Sequence, residues 1–311
     1  VEAAWASGEP GLVFLDTINR ANPTPRLGAI ESTNPCGEQP LLAYESCTLG
    51  SINVANFLAR PDARPTIDFA RLADTISLAV RFLDNVIDRN CFPLPDIERI
   101  TKQTRKIGLG IMGFADLLIA LNIPYNSEAA LHTATTLMDF FRSRAHLASA
   151  GLAAERGVFP AYRGSRLQTL HQRHRNATVT TIAPTGSISL IADCSPGIEP
   201  IYGVQEVRRV MDDVMLSALH PAFARRACTL GLDLDSLRPD LAAHPSIQHL
   251  PHIPEELRRL FVTAHDVSPE HHVRMQAMFQ RYSDSGVSKT INLPATATKA
   301  EVAAAFLLAY Q

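Results

Sequence analysis

The sequence has little that would mark a membrane, secreted or nucleic-acid-binding protein. It contains no apolar run near the length of about 18 residues that a membrane-spanning helix needs. Its net charge of −2 at pH 7 gives no strong field for nucleic acid or an anionic membrane. No charged-then-apolar leader is visible, and the chain opens with Val1-Glu-Ala-Ala, so we expect it to be cut from a longer protein. We therefore predict no nucleic-acid partner and no membrane partner.

Cysteine is also scarce, and metal-binding motifs are missing. An odd, sparse set does not suit a disulfide scaffold and indicates a reducing compartment, the cytoplasm; its members are Cys36, Cys47, Cys91, Cys194 and Cys228. There is no CxxC pair, no HExxH and no carboxylate cluster. The pairs His171/His174 and His271/His272 could touch a metal, but surface positions are the favoured interpretation. No metal site is predicted.

The composition is that of a globular protein, and helix-like and strand-like segments alternate along the chain. With 311 residues, 46% hydrophobic and 19% charged, the chain can bury a full core. Helices are predicted at 68–89, 127–156 and, broken at Ser268-Pro269, 255–282; strands at 51–57, 177–182 and 288–293; loops at 60–65 and 161–166. This order predicts an α/β fold.

The most informative stretch is Asn34-Pro-Cys-Gly-Glu38, followed by a second thiol at Cys47. If residues 34–38 are extended, the side chains of Asn34, Cys36 and Glu38 point to one face. An amide, a thiol and a carboxylate projecting together would form an active site. The alternative is an ordinary turn, since Asn-Pro and Cys-Gly are common loop signals.

Two glycine-rich stretches suggest different ligands. Residues 108–113 match GxGxxG, but the preceding segment is charged and helix-like and no acidic residue follows at the required distance. We expect Gly108 and Gly110 to allow close packing instead. The second stretch, 183–189, follows a predicted strand and offers Gly186 with hydroxyl groups at Thr185, Ser187 and Ser189. It predicts either a phosphate cradle at a helix start or a plain helix cap.

Together these segments resemble the catalytic subunit of ribonucleotide reductase, most closely its adenosylcobalamin-dependent class. The motifs that carry the resemblance run through nearly the whole chain: Asn34-Pro-Cys-Gly-Glu-Gln-Pro-Leu41, Ser46-Cys-Thr-Leu-Gly-Ser-Ile-Asn53, Arg105-Lys-Ile-Gly-Leu-Gly-Ile-Met-Gly-Phe-Ala-Asp116, Thr181-Ile-Ala-Pro-Thr-Gly-Ser-Ile-Ser189, Gly197-Ile-Glu-Pro200 and Val287-Ser-Lys-Thr-Ile-Asn-Leu-Pro294. The resemblance implies a ten-stranded α/β barrel around a finger loop with the radical cysteine. Residues 1–311 would form the C-terminal half of that barrel domain, without its N-terminal part.

The resemblance also implies roles for individual residues. Cys36 would be the thiyl-radical site that abstracts the ribose 3′ hydrogen, and Glu38 would take the 3′-OH proton. Asn34 would hold the hydroxyls and the loop, and Cys47 would be one of two reducing thiols. The substrate-binding residues would be Asn34, Pro35, Cys36, Gly37 and Glu38, with the phosphates held by Pro184, Thr185, Gly186, Ser187 and Ile188.

The implied activity is reduction of ribonucleotides to 2′-deoxyribonucleotides, with the radical generated from adenosylcobalamin. The implied partners are a ribonucleoside diphosphate or triphosphate, a thioredoxin-like reductant, a nucleotide effector bound by the missing N-terminal part, and a second copy in a homodimer. The partner of Cys47 would lie on an upstream strand that the chain lacks. Cys194 could approach the site, but burial or a spectator role is the favoured interpretation. Cys91 and Cys228 are predicted to be inert core thiols. The chain alone is expected to be inactive.

Other interpretations stay open at this point. The two-subunit reductase class shares the Asn-x-Cys-x-Glu triad, while the residues around the triad and Gly186-Ser187 favour the cobalamin class. The glycyl-radical class generally dispenses with this Asn/Glu pair. A catalytically dead nucleotide-binding fragment and a dinucleotide-dependent oxidoreductase using residues 108–113 are two further alternatives.

Overall fold

The computed structural model describes residues 1–59, 65–209 and 215–311, and helices are the most abundant elements of this part. The helices are α1 Glu2–Ser7, α2 Leu15–Ala21, α3 Phe69–Arg89, α4 Pro95–Thr104, α5 Phe114–Ala120, α6 Glu128–Arg156, α7 Arg166–Thr169, α8 Gly186–Ile191, α9 Pro221–Thr229, α10 Leu234–Ala243, α11 Glu255–Leu260, α12 Pro269–Gln280 and α13 Lys299–Tyr310. The strands are β1 Ser32–Thr33, β2 Pro40–Leu41, β3 Thr48–Asn53, β4 Leu58–Ala59, β5 Thr66–Ile67, β6 Ile107–Met112, β7 Gln205–Arg209 and β8 Met215–Leu219. No helix in these ranges is long and apolar enough to cross a membrane.

The long helices form where the sequence predicts them. In α3 the apolar stripe is buried and Asp68 caps the first turn by accepting a hydrogen bond from Arg71 N. Ser127 caps α6 in the same way, and α6 ends at Gly157. Ser268 caps α12, which confirms the predicted break before Pro269. Each buried aliphatic side chain of such a stripe stabilises the fold by roughly 1.5–3 kcal/mol.

The centre of the fold is a ladder of parallel segments. β3 pairs with β6 in a register that places Thr48 opposite Ile107 and Asn53 opposite Met112. Residues 177–182 lie on the other side of β6, because Leu109 N donates to Val179 O and Thr181 N donates to Leu109 O. Residues 286–288 come next, since Ile182 N donates to Gly286 O. This side-by-side order, with α3 and α6 packed outside, is an α/β arrangement.

The two faces of β6 differ because its residues alternate in direction. Ile107, Leu109 and Ile111 are fully buried in the main core. The alternate positions, Gly108 and Gly110, carry no side chain. A Cβ on Gly110 would lie 2.3 Å from Thr181 O, and one on Gly108 would lie 2.7 Å from Gln39 Nε2. The predicted close packing of both glycines is confirmed.

Several predicted boundaries are wrong. The strand predicted at 51–57 begins at Thr48 and ends at Asn53, where a 3₁₀ turn, Val54–Asn56, starts under an Asn53 side-chain cap. Residues 177–182 and 288–293 are not continuous strands; the first is extended with isolated bridges, and the second has only the neighbouring bridge of Val287 to Ile182. The loop predicted at 60–65 lies, apart from Pro65, outside the described residues.

Candidate active site

The finger loop, residues 34–39, joins the short antiparallel strands β1 and β2. Gly37 N donates to Asn34 O at 3.0 Å, which closes a turn, and Gly37 has a φ of 82° that favours glycine. Asn34 Oδ1 accepts from Gln39 N at 2.9 Å and holds the ends of the loop together. Residues 34–38 are therefore not extended. The backbone here forms a turn, which Pro35 and Gly37 both favour.

The turn separates the side chains that an extended segment would have aligned. Cys36 is exposed at the tip, whereas Glu38 is 2% exposed. Glu38 Oε2 has no hydrogen-bond partner among the described residues, and neither does the amide group of Gln39 beside it. The loop thus presents a free thiol outward and an unpaired carboxyl oxygen inward.

The finger loop is fixed by the third and fourth segments of the ladder. Glu38 O accepts from Gly286 N at 2.8 Å and from the Thr181 hydroxyl at 2.9 Å. A Cβ on Gly286 would lie only 2.5 Å from Gly37 O, so the backbone approaches as closely as glycine permits. These contacts place the loop against the glycine face of β6.

Cys47 directly precedes β3 and lies near Glu38. Burial raises the pKa of its thiol above the usual range; the Lys106 ammonium opposes this shift, and the Glu45 and Glu38 carboxylates add to it. Cys47 is half-buried and makes one weak contact, from Sγ to Thr48 O at 3.7 Å. The Glu38 carboxylate is therefore close enough to Cys47 to affect the ionisation of its thiol.

Cys194 is not a partner for Cys47. It lies beside the other end of β3, because a Cβ on Gly113 would lie 3.4 Å from the Cβ of Cys194 and 2.3 Å from Asn53 Oδ1. The six residues of β3 span roughly 20 Å at about 3.3 Å each, far beyond the reach of a disulfide. Burial, Asp116 and Asp193 raise the pKa of Cys194 to about 11. In this structure Cys194 therefore lies too far from Cys47 to form a disulfide with it.

The phosphate loop, residues 184–188, continues the segment that holds the finger loop. Thr185 lies in the left-handed region at φ 56°, a strained conformation for a β-branched residue, and precedes α8. Its hydroxyl accepts from Gly197 N at 2.7 Å. Gly186, Ser187 and Ile188 are exposed, and their N–H groups lie in the first turn, where no intrahelical acceptor exists.

Part of the predicted cradle points away from this opening. Ser189 is buried, and its hydroxyl donates back to Gly186 O at 3.4 Å. The hydroxyl of Thr185 is buried and accepts a hydrogen bond from Gly197 N. Only Ser187 among the three predicted hydroxyl residues is exposed. The loop therefore offers backbone N–H groups more than side-chain donors.

The GxGxxG stretch does not form a dinucleotide loop. Its first two glycines lie inside the buried strand β6 rather than after it, and Gly113 precedes α5 with a φ of 74°. A dinucleotide site needs these glycines in the turn that follows the strand. The alternative of a dinucleotide-dependent oxidoreductase loses its structural basis.

Two further predictions about side-chain environment are wrong. Cys91 and Cys228 are exposed rather than buried, since Cys91 follows the end of α3 and Cys228 lies away from the buried residues of α9. His174, His271 and His272 are buried, not at the surface. His271 and His272 pair with the backbone carbonyls of Tyr125 and Ala264. In the described ranges no three potential metal ligands cluster together.

Two ion pairs near the site were missed by sequence reasoning. Lys106 Nζ donates to Glu45 Oε2 at 2.7 Å, with both side chains buried. Lys289 is buried and donates to Glu199 and to His272 Nδ1. Burial and the neighbouring Lys289 lower the pKa of His272 to about 3. A lysine directly before the apolar strand β6 was the available signal for Lys106.

A parallel ladder with helices packed outside it, and with a thiol-bearing loop docked against it, defines a partial α/β barrel. The family model "Ribonucleotide reductase, barrel domain" matches residues 1–174 and 170–311, so the chain belongs to the ribonucleotide reductase family. The predicted family and fold class, the partial α/β barrel with its finger loop, are confirmed.

Named relatives agree with this assignment. The chain is 50% identical to a "Vitamin B12-dependent ribonucleoside-diphosphate reductase" of Thermoplasma acidophilum, over 99% of this chain and 40% of the relative. It is also 50% identical to the enzyme of that name in Mycobacterium tuberculosis, over 100% of this chain and 44% of the relative. A "Ribonucleoside-diphosphate reductase subunit alpha" of Chlamydia pneumoniae is 31% identical over 93% of this chain and 31% of the relative. The chain thus spans less than half the length of these curated relatives.

A solved structure gives the same fold. The "Actinobacillus ureae class Id ribonucleotide reductase alpha subunit" superposes with a TM-score of 0.80 over 99% of this chain and 57% of that chain, at 24% identity. At this identity the likeness concerns the fold alone.

Proposed function

We propose that this chain is part of the catalytic barrel of a vitamin B12-dependent reductase that converts ribonucleoside diphosphates to 2′-deoxyribonucleotides. One observation carries the proposal: residues 177–182 hold the finger loop through Thr181 and lead directly into the phosphate loop. Thr185 follows Thr181 by four positions, at most about 14 Å of chain. A nucleotide anchored by its phosphates at one end would place its ribose near Cys36. The names of the relatives at 50% identity support the same activity.

Within this proposal each residue of the finger loop has a separate role. Cys36, exposed at the tip, would abstract the ribose 3′ hydrogen as a thiyl radical. Glu38 Oε2, enclosed and unpaired in the described chain, would accept the proton of the 3′-OH. Asn34 Oδ1 accepts from Gln39 N and fixes the loop, and the Asn34 side chain, held in this position, would orient the ribose hydroxyls. Pro35 and Gly37 give the loop its turn.

Cys47 would supply one of the two reducing thiols. Its position near Glu38 supports this role, whereas Cys194 lies at the wrong end of β3 to pair with it. We propose that the second thiol comes from a segment outside residues 1–311 and that a thioredoxin-like dithiol renews the pair.

The phosphate loop would bind the substrate phosphates through backbone N–H groups. The first turn of α8 leaves the N–H groups of Gly186, Ser187 and Ile188 for an external acceptor. The strained backbone of Thr185, held by Gly197, supports a functional use, because such strain concentrates at binding sites. Pro184 fixes the entry to the turn.

The exposed Cys36 thiol fits a cofactor that approaches the finger loop from outside. When bound, adenosylcobalamin would supply a radical by homolysis of its Co–C bond. Cys36 would be accessible to it, while the buried Glu38 would be shielded from it. We further propose a diphosphate in preference to a triphosphate substrate, a nucleotide effector bound outside this chain, a homodimer and a cytoplasmic location.

The test is CDP reduction by the protein that joins this chain to the additional segments of its relatives. The assay contains adenosylcobalamin, a small dithiol and no second protein. We expect cobalamin-dependent dCDP, loss of product in Cys36→Ser, and retained product in Cys228→Ser, which removes an exposed thiol of α9.

Each alternative has its own outcome in this assay. Product that appears only after a radical-generating subunit is added would assign the chain to the two-subunit class. No product under either condition would favour a catalytically dead nucleotide-binding fragment. Normal multiple turnover in Cys47→Ser would refute the reducing role of Cys47.

A further inference from the structure

A buried ion pair lies beneath the finger loop and has no part in the roles assigned so far. Lys106 Nζ and Glu45 Oε2 are 2.7 Å apart, and the two side chains are 1% and 0% exposed. Glu45 Oε2 also accepts from Leu42 N at 2.9 Å, but Glu45 Oε1 has no partner in the described ranges. Enclosing two charges while one carboxylate oxygen stays unpaired is unfavourable, so stability alone is a poor reason for the pair.

The register of the ladder places this pair beside Cys47. Thr48 is opposite Ile107, so the residues just before them, Cys47 and Lys106, are neighbours whose side chains share a face. This is the face of Gly108, against which Gln39 of the finger loop packs. Glu45 precedes Cys47 by two residues, and Lys106 anchors its carboxylate.

Three charged groups act on the Cys47 thiol: Lys106, Glu45 and Glu38. Glu38 reaches it from the finger loop, and Lys106 from the start of β6. Burial and the two carboxylates disfavour a thiolate at Cys47. In the described part of the chain, Lys106 is the group that favours it.

We propose that Lys106 and Glu45 form a positioning pair that sets the reactivity of Cys47, with Lys106 stabilising its thiolate and Glu45 restraining it. This inference rests on the proposed redox role of Cys47. When an external dithiol donates two electrons to a disulfide that contains Cys47, the S–S bond breaks and the Cys47 sulfur leaves as a thiolate. The Lys106 ammonium offsets that charge until the sulfur takes up a proton from the dithiol.

The experiment measures alkylation of Cys47 by iodoacetamide between pH 7 and 10, in the full chain carrying Cys36→Ser. Mass spectrometry after cleavage at arginine follows each thiol separately, because arginines separate Cys47, Cys91, Cys194 and Cys228 into different peptides. A shift of one pH unit in the titration changes the rate below the pKa about tenfold. We expect Lys106→Met to slow Cys47 by about that factor, Glu45→Gln to accelerate it, and Lys106→Arg to restore the parent rate.

The decisive result is that the two substitutions change the alkylation rate of Cys47 in opposite directions. Loss of packing alone would change Cys47 in the same direction in both variants, and that outcome overturns the proposal. Cys194, at the far end of β3, is the internal control and should keep its rate. If Lys106→Met does not fold, Glu45→Gln decides alone: a faster Cys47 supports the pair, and an unchanged or slower one refutes it. The alkylation experiment contains neither substrate nor cofactor. A negative result would therefore refute the role of the ion pair, while the CDP assay would still test the proposed function separately.

Discussion

Replacing Gly286 with alanine would place a methyl group against the backbone of the finger loop. The new Cβ would lie 2.5 Å from Gly37 O and 3.0 Å from the Cα of Glu38, so neither neighbour could yield by a side-chain rotation. Overpacking of this kind costs about 1–3 kcal/mol. Relief by moving the loop would break the hydrogen bond from Gly286 N to Glu38 O, worth about 0.5–1.5 kcal/mol. We expect the free energy of unfolding to fall by about 2–4 kcal/mol.

Urea denaturation followed by circular dichroism measures this change. The matched control is Gly151→Ala, the same substitution at an exposed position of α6, where a Cβ meets nothing within 4 Å. There alanine should raise the free energy of unfolding by about 0.5–1 kcal/mol, because glycine disfavours helix. Equal effects of the two substitutions would show that the finger loop is not held against Gly286 as described.

Two other substitutions test the docking of the loop and the acid sensitivity of the fold. Thr181→Val keeps the shape but removes the hydroxyl that donates to Glu38 O, and should lower the free energy of unfolding by about 1 kcal/mol in urea; no change would mean that this hydrogen bond is not formed in solution. Burial, followed by His146, lowers the pKa of His174 from 6.5 to about 4. Between these values the unfolded chain binds a proton that the folded chain does not, so stability falls as the pH falls, by about 1.4 kcal/mol per pH unit. His174→Phe should remove that slope between about pH 6 and pH 4.5 in urea titrations, and an unaltered slope would place the titrating group elsewhere.

Periodicity was enough to predict α3 and α6, because each buries one apolar stripe between a side-chain cap and a clear end. Strand boundaries were harder to predict. Residues 177–182 are rich in Thr and Val, yet they form isolated bridges, since their hydrogen bonds are shared between β6, the finger loop and residues 284–286. Tertiary contacts of this kind override local propensity.

The geometry of the candidate site could not be predicted from the sequence. The motif around Cys36 gave the candidate residues, whose roles stay a prediction, but an extended backbone there was wrong because Pro35 and Gly37 favour a turn. The pairing of Glu45 with Lys106 joins residues 61 positions apart and depends on the register of β3 with β6. No pattern within either segment predicts that register. The burial of His271 and His272 was missed because each pairs with a backbone carbonyl, which leaves no mark in the sequence.

The hydrogen bond between the Thr181 hydroxyl and Glu38 O spans 143 residues, and the contact with Gly286 spans still more. A loop closure of that length is slow, and the contact cannot form until the later segments exist. During synthesis, which proceeds from the N-terminus, the finger loop would leave the ribosome long before the segments that hold it. Docking of the Cys36 loop can therefore be completed only after residue 286 has been made, and a chain interrupted before residue 181 would lack both hydrogen bonds that hold this loop.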